Sequence, residues 1–241
     1  MKKIFLLLLL FGLIRTQAQK RSSAWSAGFS IGPSFPIGHF ASKNYHSEEA
    51  GNAATGIGAE VTGGYAFNRS FGMVLLAGGQ DNANNPILYQ SGSAPAPVPL
   101  PMTETNAHFP HWKIVRILAG GVYTRPFSSR EKLFLQIRLL AGVLKTNIPG
   151  YRDDVFLGRS GPVHIEVPEL HMSWSLSYQA DAGLKWKLSE RTFLVACAGY
   201  SGARPVYPYF STLSGFVYRT FRPRTVPITS IYLRAGVEVR L

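Results

Sequence analysis

Along most of this chain, apolar and polar residues alternate with a period of two. Successive side chains of a β-strand point to opposite faces, so each such stretch predicts a strand with one apolar face. Trp25, Ala27, Phe29, Ile31 and Phe35 share one parity, and Ser26, Gly28, Ser30, Gly32 and Ser34 the other. The pattern recurs at about 55–67, where Ile57, Ala59, Val61, Tyr65 and Phe67 oppose Gly58, Glu60, Thr62 and Gly64. It returns at about 110–125, with Val115, Ile117, Ala119 and Tyr123 opposite Arg116. At about 132–146, Leu133, Leu135, Ile137, Leu139, Ala141 and Val143 oppose Gln136, Arg138 and Gly142. The row from Met172 to Lys187 is the clearest, and a last row runs from about Ile228 to Leu241. Two further segments, about 70–80 and 192–203, are apolar on both parities, so they predict strands without assigning a face.

Connection lengths alternate as well. Segments 68–70, 127–131 and 189–191 are short and polar, whereas 36–54, 81–109, 147–170 and 205–227 are long. Eight strands joined in this rhythm predict an all-β, eight-stranded antiparallel up-and-down barrel with both termini at the short-turn end. A soluble lipocalin-like barrel would alternate too, with its polar face in water. Here the polar rows of the first two strands are mostly Ser, Gly and Thr, which suit the crowded lumen of a small barrel better than a solvated surface. Trp174, Trp186, Tyr65 and Phe67 stand near the ends of apolar rows, where rings favour a membrane–water interface. The expectation is therefore a transmembrane barrel with four long external loops and short periplasmic turns.

The start of the chain adds a compartment. Lys2 and Lys3 precede an apolar run from Ile4 to Ile14, and Thr16-Gln17-Ala18 ends on a small residue. This predicts a signal peptide over 1–18, cleaved after Ala18, and a barrel over 19–241. Losing Lys2, Lys3 and Arg15 with that leader lowers the formal charge from +12 to +9. Export argues against nucleic acid as the partner of this charge and favours lipopolysaccharide phosphates or acidic polymers. Cys197 is the single cysteine, so no intramolecular disulfide can form, and it reads as a small packing residue.

The inferred parity turns Glu60, Arg116, Arg138, Asp181, Lys185, Arg234, Glu238 and Arg240 into the lumen. Charges in so narrow a space must be paired or hydrated. They predict either a salt-bridge network that plugs the barrel or the constriction of a narrow channel. The last long connection joins Arg219, Arg222 and Arg224 to Tyr218 and Phe221, a set suited to phosphate and sugar. His171-Met172-Ser173 places a histidine and a serine on one face, an arrangement used by outer-membrane lipid A deacylases. Parity puts Ser173 on the lumen side, and no acidic partner is spaced to complete it. No catalytic residue, metal site or cofactor is expected, and the Asp81-to-Asn85 run reads as a polar turn. The Pro-rich stretch 91–101 reads as an extended external segment.

The final residues, Arg234-Ala235-Gly236-Val237-Glu238-Val239-Arg240-Leu241, resemble the C-terminal sorting signal of outer-membrane barrels. Gly236, Val239 and Leu241 carry the match, with Leu241 standing where an aromatic residue is usual. Together with the leader, they make the chain similar to the broad family of small, porin-like outer-membrane β-barrels of Gram-negative bacteria. The resemblance implies residence in the outer membrane, delivery by the outer-membrane insertion machinery, and contact with outer-membrane lipid and lipopolysaccharide. It also allows an envelope protein partner. The expected role is non-catalytic: a structural or surface-interaction barrel whose external loops meet lipopolysaccharide, a polymer or a protein. The alternatives are a narrow diffusion channel and a lipid A-modifying enzyme.

Overall fold

The structure, a computed structural model, describes residues 25–43, 50–84, 111–127, 132–149, 151–156, 162–167, 170–171, 174–208, 211–213, 216–218 and 223–241. Eight long strands form the barrel: β1 Trp25–Pro36, β2 Ala53–Ala66, β3 Phe71–Asn84, β4 Trp112–Pro126, β5 Leu133–Ile148, β6 Ser175–Lys187, β7 Thr192–Ala203 and β8 Ile228–Arg240. Each pairs antiparallel with its sequence neighbours, and β1 pairs with β8 to close the sheet. This is the expected up-and-down topology. Closure leaves no strand edge, so backbone groups are satisfied within the sheet, as lipid demands.

The register sets the dimensions. Directly opposed partners run from Trp25 through Tyr65, Met73, Gly121, Leu139, Ala180, Tyr200 and Ile231, and return to β1 at Phe35. The path returns ten residues farther along, from 25 to 35. For eight strands that stagger corresponds to a tilt of about 40°. Two turns are closed by side chains. Asn68 Oδ1 accepts the Ser70 and Phe71 amides, each at 2.8 Å, and Ser189 Oγ accepts the Arg191 and Thr192 amides at 3.3 and 3.1 Å.

The outer surface is inverted relative to that of a protein in water. Leu139 is 65% exposed and Leu176 83%, and Phe29, Val61, Leu75, Ile117 and Leu233 all face outward. From Phe71 to Gly79 on β3 and from Val115 to Tyr123 on β4 the outward row carries no charge, until Asp81, Lys113 and Arg125 are reached. Those rows match the 9–11 residues that a tilted strand needs to cross lipid. At the turn end, Trp25 packs on Tyr65 at 4.9 Å and Phe71 on Tyr123 at 5.1 Å; farther up, Tyr178 meets Tyr200 at 6.0 Å. Apolar area on this scale belongs in a bilayer, flanked by these rings.

Several expectations change in detail. The run from Asp81 to Asn84 is not a turn but the end of β3, where the buried Asn82 donates to the Ala54 carbonyl at 2.9 Å. Of the row read from Met172, the described strand β6 runs from Ser175 to Lys187, and ahead of it Leu170–His171 pair with Asn147–Ile148. The uniformly apolar strands now have faces, with Val74, Leu76, Phe193 and Cys197 turned inward and Met73, Leu75 and Leu194 outward. Beyond the barrel, Tyr151–Phe156 pairs with Pro162–Val167 as a ribbon.

The first long connection is not wholly an external loop. After β1 it makes a short 3-10 turn at Gly38–Phe40 and folds into the mouth of the barrel, with Phe40 fully buried. Ile37 N donates to the Thr229 carbonyl at 3.0 Å, and Thr229 Oγ1 donates back to the Ile37 carbonyl at 2.7 Å. Gly38 at φ 58 supplies the reversal. Gly51 lies so close to Phe40 that a Cβ there would sit 2.6 Å from the Phe40 carbonyl oxygen.

Candidate functional site

The lumen is the one part of the described barrel where unlike chemistries converge, and it is layered. At the loop end, Trp112 and Ile114 of β4, Leu144 of β5, Ala203 of β7 and Ile228 of β8 meet Phe40 and Val226 from the connections. Phe40 packs edge-on against Trp112 at 5.3 Å, and Trp112 Nε1 donates to the Gly51 carbonyl at 2.8 Å. A buried indole N–H requires such a partner. This apolar plug was not anticipated, because opposite walls of an eight-stranded barrel are close enough for inward apolar chains to bury one another.

Below it lies a polar layer drawn from β2, β3, β4, β5, β6 and β8. Arg138 Nε donates to Asp181 Oδ1 at 2.6 Å, and its Nη2 lies 3.9 Å from Glu60 Oε2. Arg234 pairs with Glu60 by contact rather than as an aligned hydrogen bond, and its guanidinium lies 4.0 Å from the centroid of the Tyr232 ring. Gln179 Nε2 reaches both carboxylates, at 3.1 Å to Glu60 and 3.2 Å to Asp181. Tyr232 donates its hydroxyl to Asp181 at 3.0 Å.

Arg116 is treated differently. Its Nη atoms donate to the amide oxygens of Gln80 at 2.5 Å and Gln179 at 3.3 Å. Three arginines thus share a layer with two carboxylates, and amides carry the third guanidinium. Glu60 and Arg116 are each 1% exposed. Burial of this depth is tolerable only because the charges interlock, and removing one would strand the rest.

Toward the turn end, Val74, Leu76, Leu118 and Leu140 fill one side of the lumen. The remainder opens into a cavity of about 330 Å³. Lys185 pairs there with Glu238, and Arg240 is exposed at the mouth.

Of the eight charges assigned to the lumen, Glu60, Arg138, Asp181 and Arg234 meet directly; Arg116 joins them through Gln179, while Gln80 holds it from the other side and turns its own amide to Asn82 and Ser230. Lys185, Glu238 and Arg240 form a separate group lining the cavity. Gln80, Gln179 and Tyr232 are the partners missed by attention to charge alone, although Gln179 and Tyr232 already lay on the inward parity. Phe40 carries no signal in the local pattern. Cys197 points inward with Sγ 3.7 Å from Arg138 Nη2.

Arg219, Phe221 and Arg222 lie outside the described residues, as do Met172, Ser173, residues 1–18 and 91–101. The backbone of Tyr218 pairs with Ser211, and that of Arg224 with Tyr207. The backbone of His171 pairs with Asn147 at the loop end. In the C-terminal signal, Gly236 is paired between Ser30 and Val195, Val239 faces outward, and the Leu241 amide donates to the Trp25 carbonyl at 3.1 Å. Among the described residues no cluster of three or more His, Cys, Asp or Glu could hold a metal.

No protein-family model and no curated protein matches this sequence. Among solved structures it is similar to Neisserial surface protein A (NspA), with a TM-score of 0.51 at 14% identity, covering 92% of this chain and 100% of that one. It also aligns with OprG from Pseudomonas aeruginosa, TM-score 0.42 at 12% identity, covering 89% of this chain and 96% of that one. Ail of Yersinia pestis in complex with the heparin analogue sucrose octasulfate gives 0.40 at 14% identity, covering 89% and 98%. The likeness to NspA shows the fold: that of a small outer-membrane β-barrel.

Proposed function

We propose that this chain is a non-catalytic, non-conducting barrel of the Gram-negative outer membrane whose working surface is its set of long loops. The observation that carries the reading is the filled lumen. The Phe40–Trp112 plug and the Glu60–Arg138–Asp181–Arg234 layer occupy two successive levels with buried side chains, and the cavity below ends at Arg138 and Gln136. Such a barrel serves as a rigid anchor, which leaves recognition to whatever its strands carry above the membrane. The leader at 1–18 would direct export, and Gly236, Val239 and Leu241 would present the end of β8 to the insertion machinery.

Purified protein in planar bilayers should give no steady conductance. Reproducible open steps of defined size would overturn this and favour the narrow channel.

The loops are proposed to contact lipopolysaccharide, an acidic polymer or an envelope protein. The basic, aromatic stretch from Tyr218 to Arg224 suits a phosphate-bearing surface, since guanidinium forks match phosphate oxygens. Replacing Arg219, Arg222 and Arg224 together by glutamine should weaken binding to lipopolysaccharide severalfold in a titration. Unchanged binding would remove this segment from the reading.

A further inference from the structure

We infer that the cavity at the turn end is a binding site for a multiply charged anion of the phosphate class. Its lining carries Arg69, Arg138, Lys185, Lys187 and Arg240, and Glu238 is the one carboxylate among them. Part of this charge is neutralised. Lys185 pairs with Glu238, Arg138 with Asp181 beneath the floor, and Lys187 with Glu190 on the rim at 2.7 Å. Counting all three carboxylates, five cations still leave an excess of two. Arg69 and Arg240 have no carboxylate within salt-bridge distance among the described residues, and both stand at the mouth.

A second feature holds the cations together. Phe193 is fully buried, and its ring centroid lies 4.5 Å from the Lys185 ammonium and 4.7 Å from the Arg240 guanidinium. Attraction to the ring offsets the repulsion between the two cations and fixes them beside one cavity. The surrounding wall is membrane-embedded protein of low dielectric, which concentrates their field on the enclosed space. About 330 Å³ is within the range of small-molecule sites. Phosphate is favoured because the arginines present forks that bind its oxygens in pairs.

A soluble phosphorylated compound and a lipid phosphate headgroup share this chemistry. In the orientation of the proposed function the cavity opens to the periplasm, and that placement alone rests on the earlier reading.

The test is calorimetric titration of the full, folded barrel in detergent with inorganic tripolyphosphate. Folding of every variant is checked by faster gel migration of the unboiled sample. Saturable binding should weaken about tenfold or more in an Arg69→Gln/Arg240→Gln double variant. It should also fall as salt rises from about 50 to about 500 mM. A loop-end control, Lys113→Gln/Arg204→Gln, should bind as the unaltered protein does. Short-chain phosphatidic acid in the same micelles identifies the source: tighter binding than tripolyphosphate indicates a headgroup, weaker binding a soluble ligand. Absence of saturable binding to either probe, or equal binding by the double variant, overturns the site. Neither result bears on conductance or loop recognition.

Discussion

The two ends of the lumen solve the same packing problem in opposite ways. At the loop end the inward residues are Trp112, Ile114, Leu144, Ala203 and Ile228, and the chain supplies Phe40 from a connection to complete a dry plug. At the turn end the inward residues include Arg138, Lys185 and Glu238, and the short turns have no residues to spare for a plug, so a cavity remains. A wide, polar mouth can be left to solvent, whereas an apolar one must be covered. Connection length therefore decides which end can be sealed: the first long connection reaches inward, and a turn such as 67–70 cannot.

The contrast depends on the charged layer between the two ends, and breaking that layer should have the largest effect. Glu60→Gln leaves Arg138 and Arg234 with Asp181 as their one buried carboxylate. Urea unfolding from vesicles should show a loss of about 3–5 kcal/mol, the cost of stranding a buried charge. A loss under about 1 kcal/mol would mean that water reaches the layer and that it does not divide the lumen.

Phe40→Ala comes next, removing the cover of the loop-end plug. The expected loss is about 3 kcal/mol, at the low end for a buried ring because the connection can relax. Planar-bilayer conductance should remain absent, since the Arg116–Gln179–Glu60 contacts still fill the level beneath. Conductance gained by this variant would show that the plug alone closes the barrel.

The smallest effect belongs to the rim of the turn end. The hydrogen bond and charge of Lys187 hold the carboxyl of Glu190 below its ordinary pKa of 4.5. A carboxylate with a lowered folded pKa adds stability above the unfolded value and loses it as pH falls through the lowered one. Because Glu190 is fully exposed, solvent screens the pair. The unfolding midpoint of Glu190→Gln should therefore lie slightly below that of the unaltered protein at neutral pH and converge with it on the acid side. A difference that appeared only on the acid side would contradict this account of the rim.

Much of the architecture was legible because lipid imposes a simple rule on the outward face. Phe29, Ile31, Val61, Leu139, Leu176 and Leu233 had to be apolar, and their period of two marked the strands. The rule fails where the inward face is apolar too. Val74 and Leu76 on β3, and Phe193 on β7, look locally like lipid-facing residues, and the choice between parities there came only with register. The inward charges were legible by parity, but Gln80 lay at the end of a strand without an assigned face, and Asn82 in a run that reads as a polar turn.

The number of strands, their order and the apolar outer surface can be read from the residues alone, because each depends on neighbouring residues and on the solvent they meet. Which inward side chains touch is set by the closed barrel. Glu60 and Gln179 are 119 residues apart, and Gln80 and Ser230 are 150 apart. They meet because closure with a stagger of ten residues brings particular levels of distant strands into line. That stagger is a property of the closed sheet as a whole, and no local run of residues encodes it.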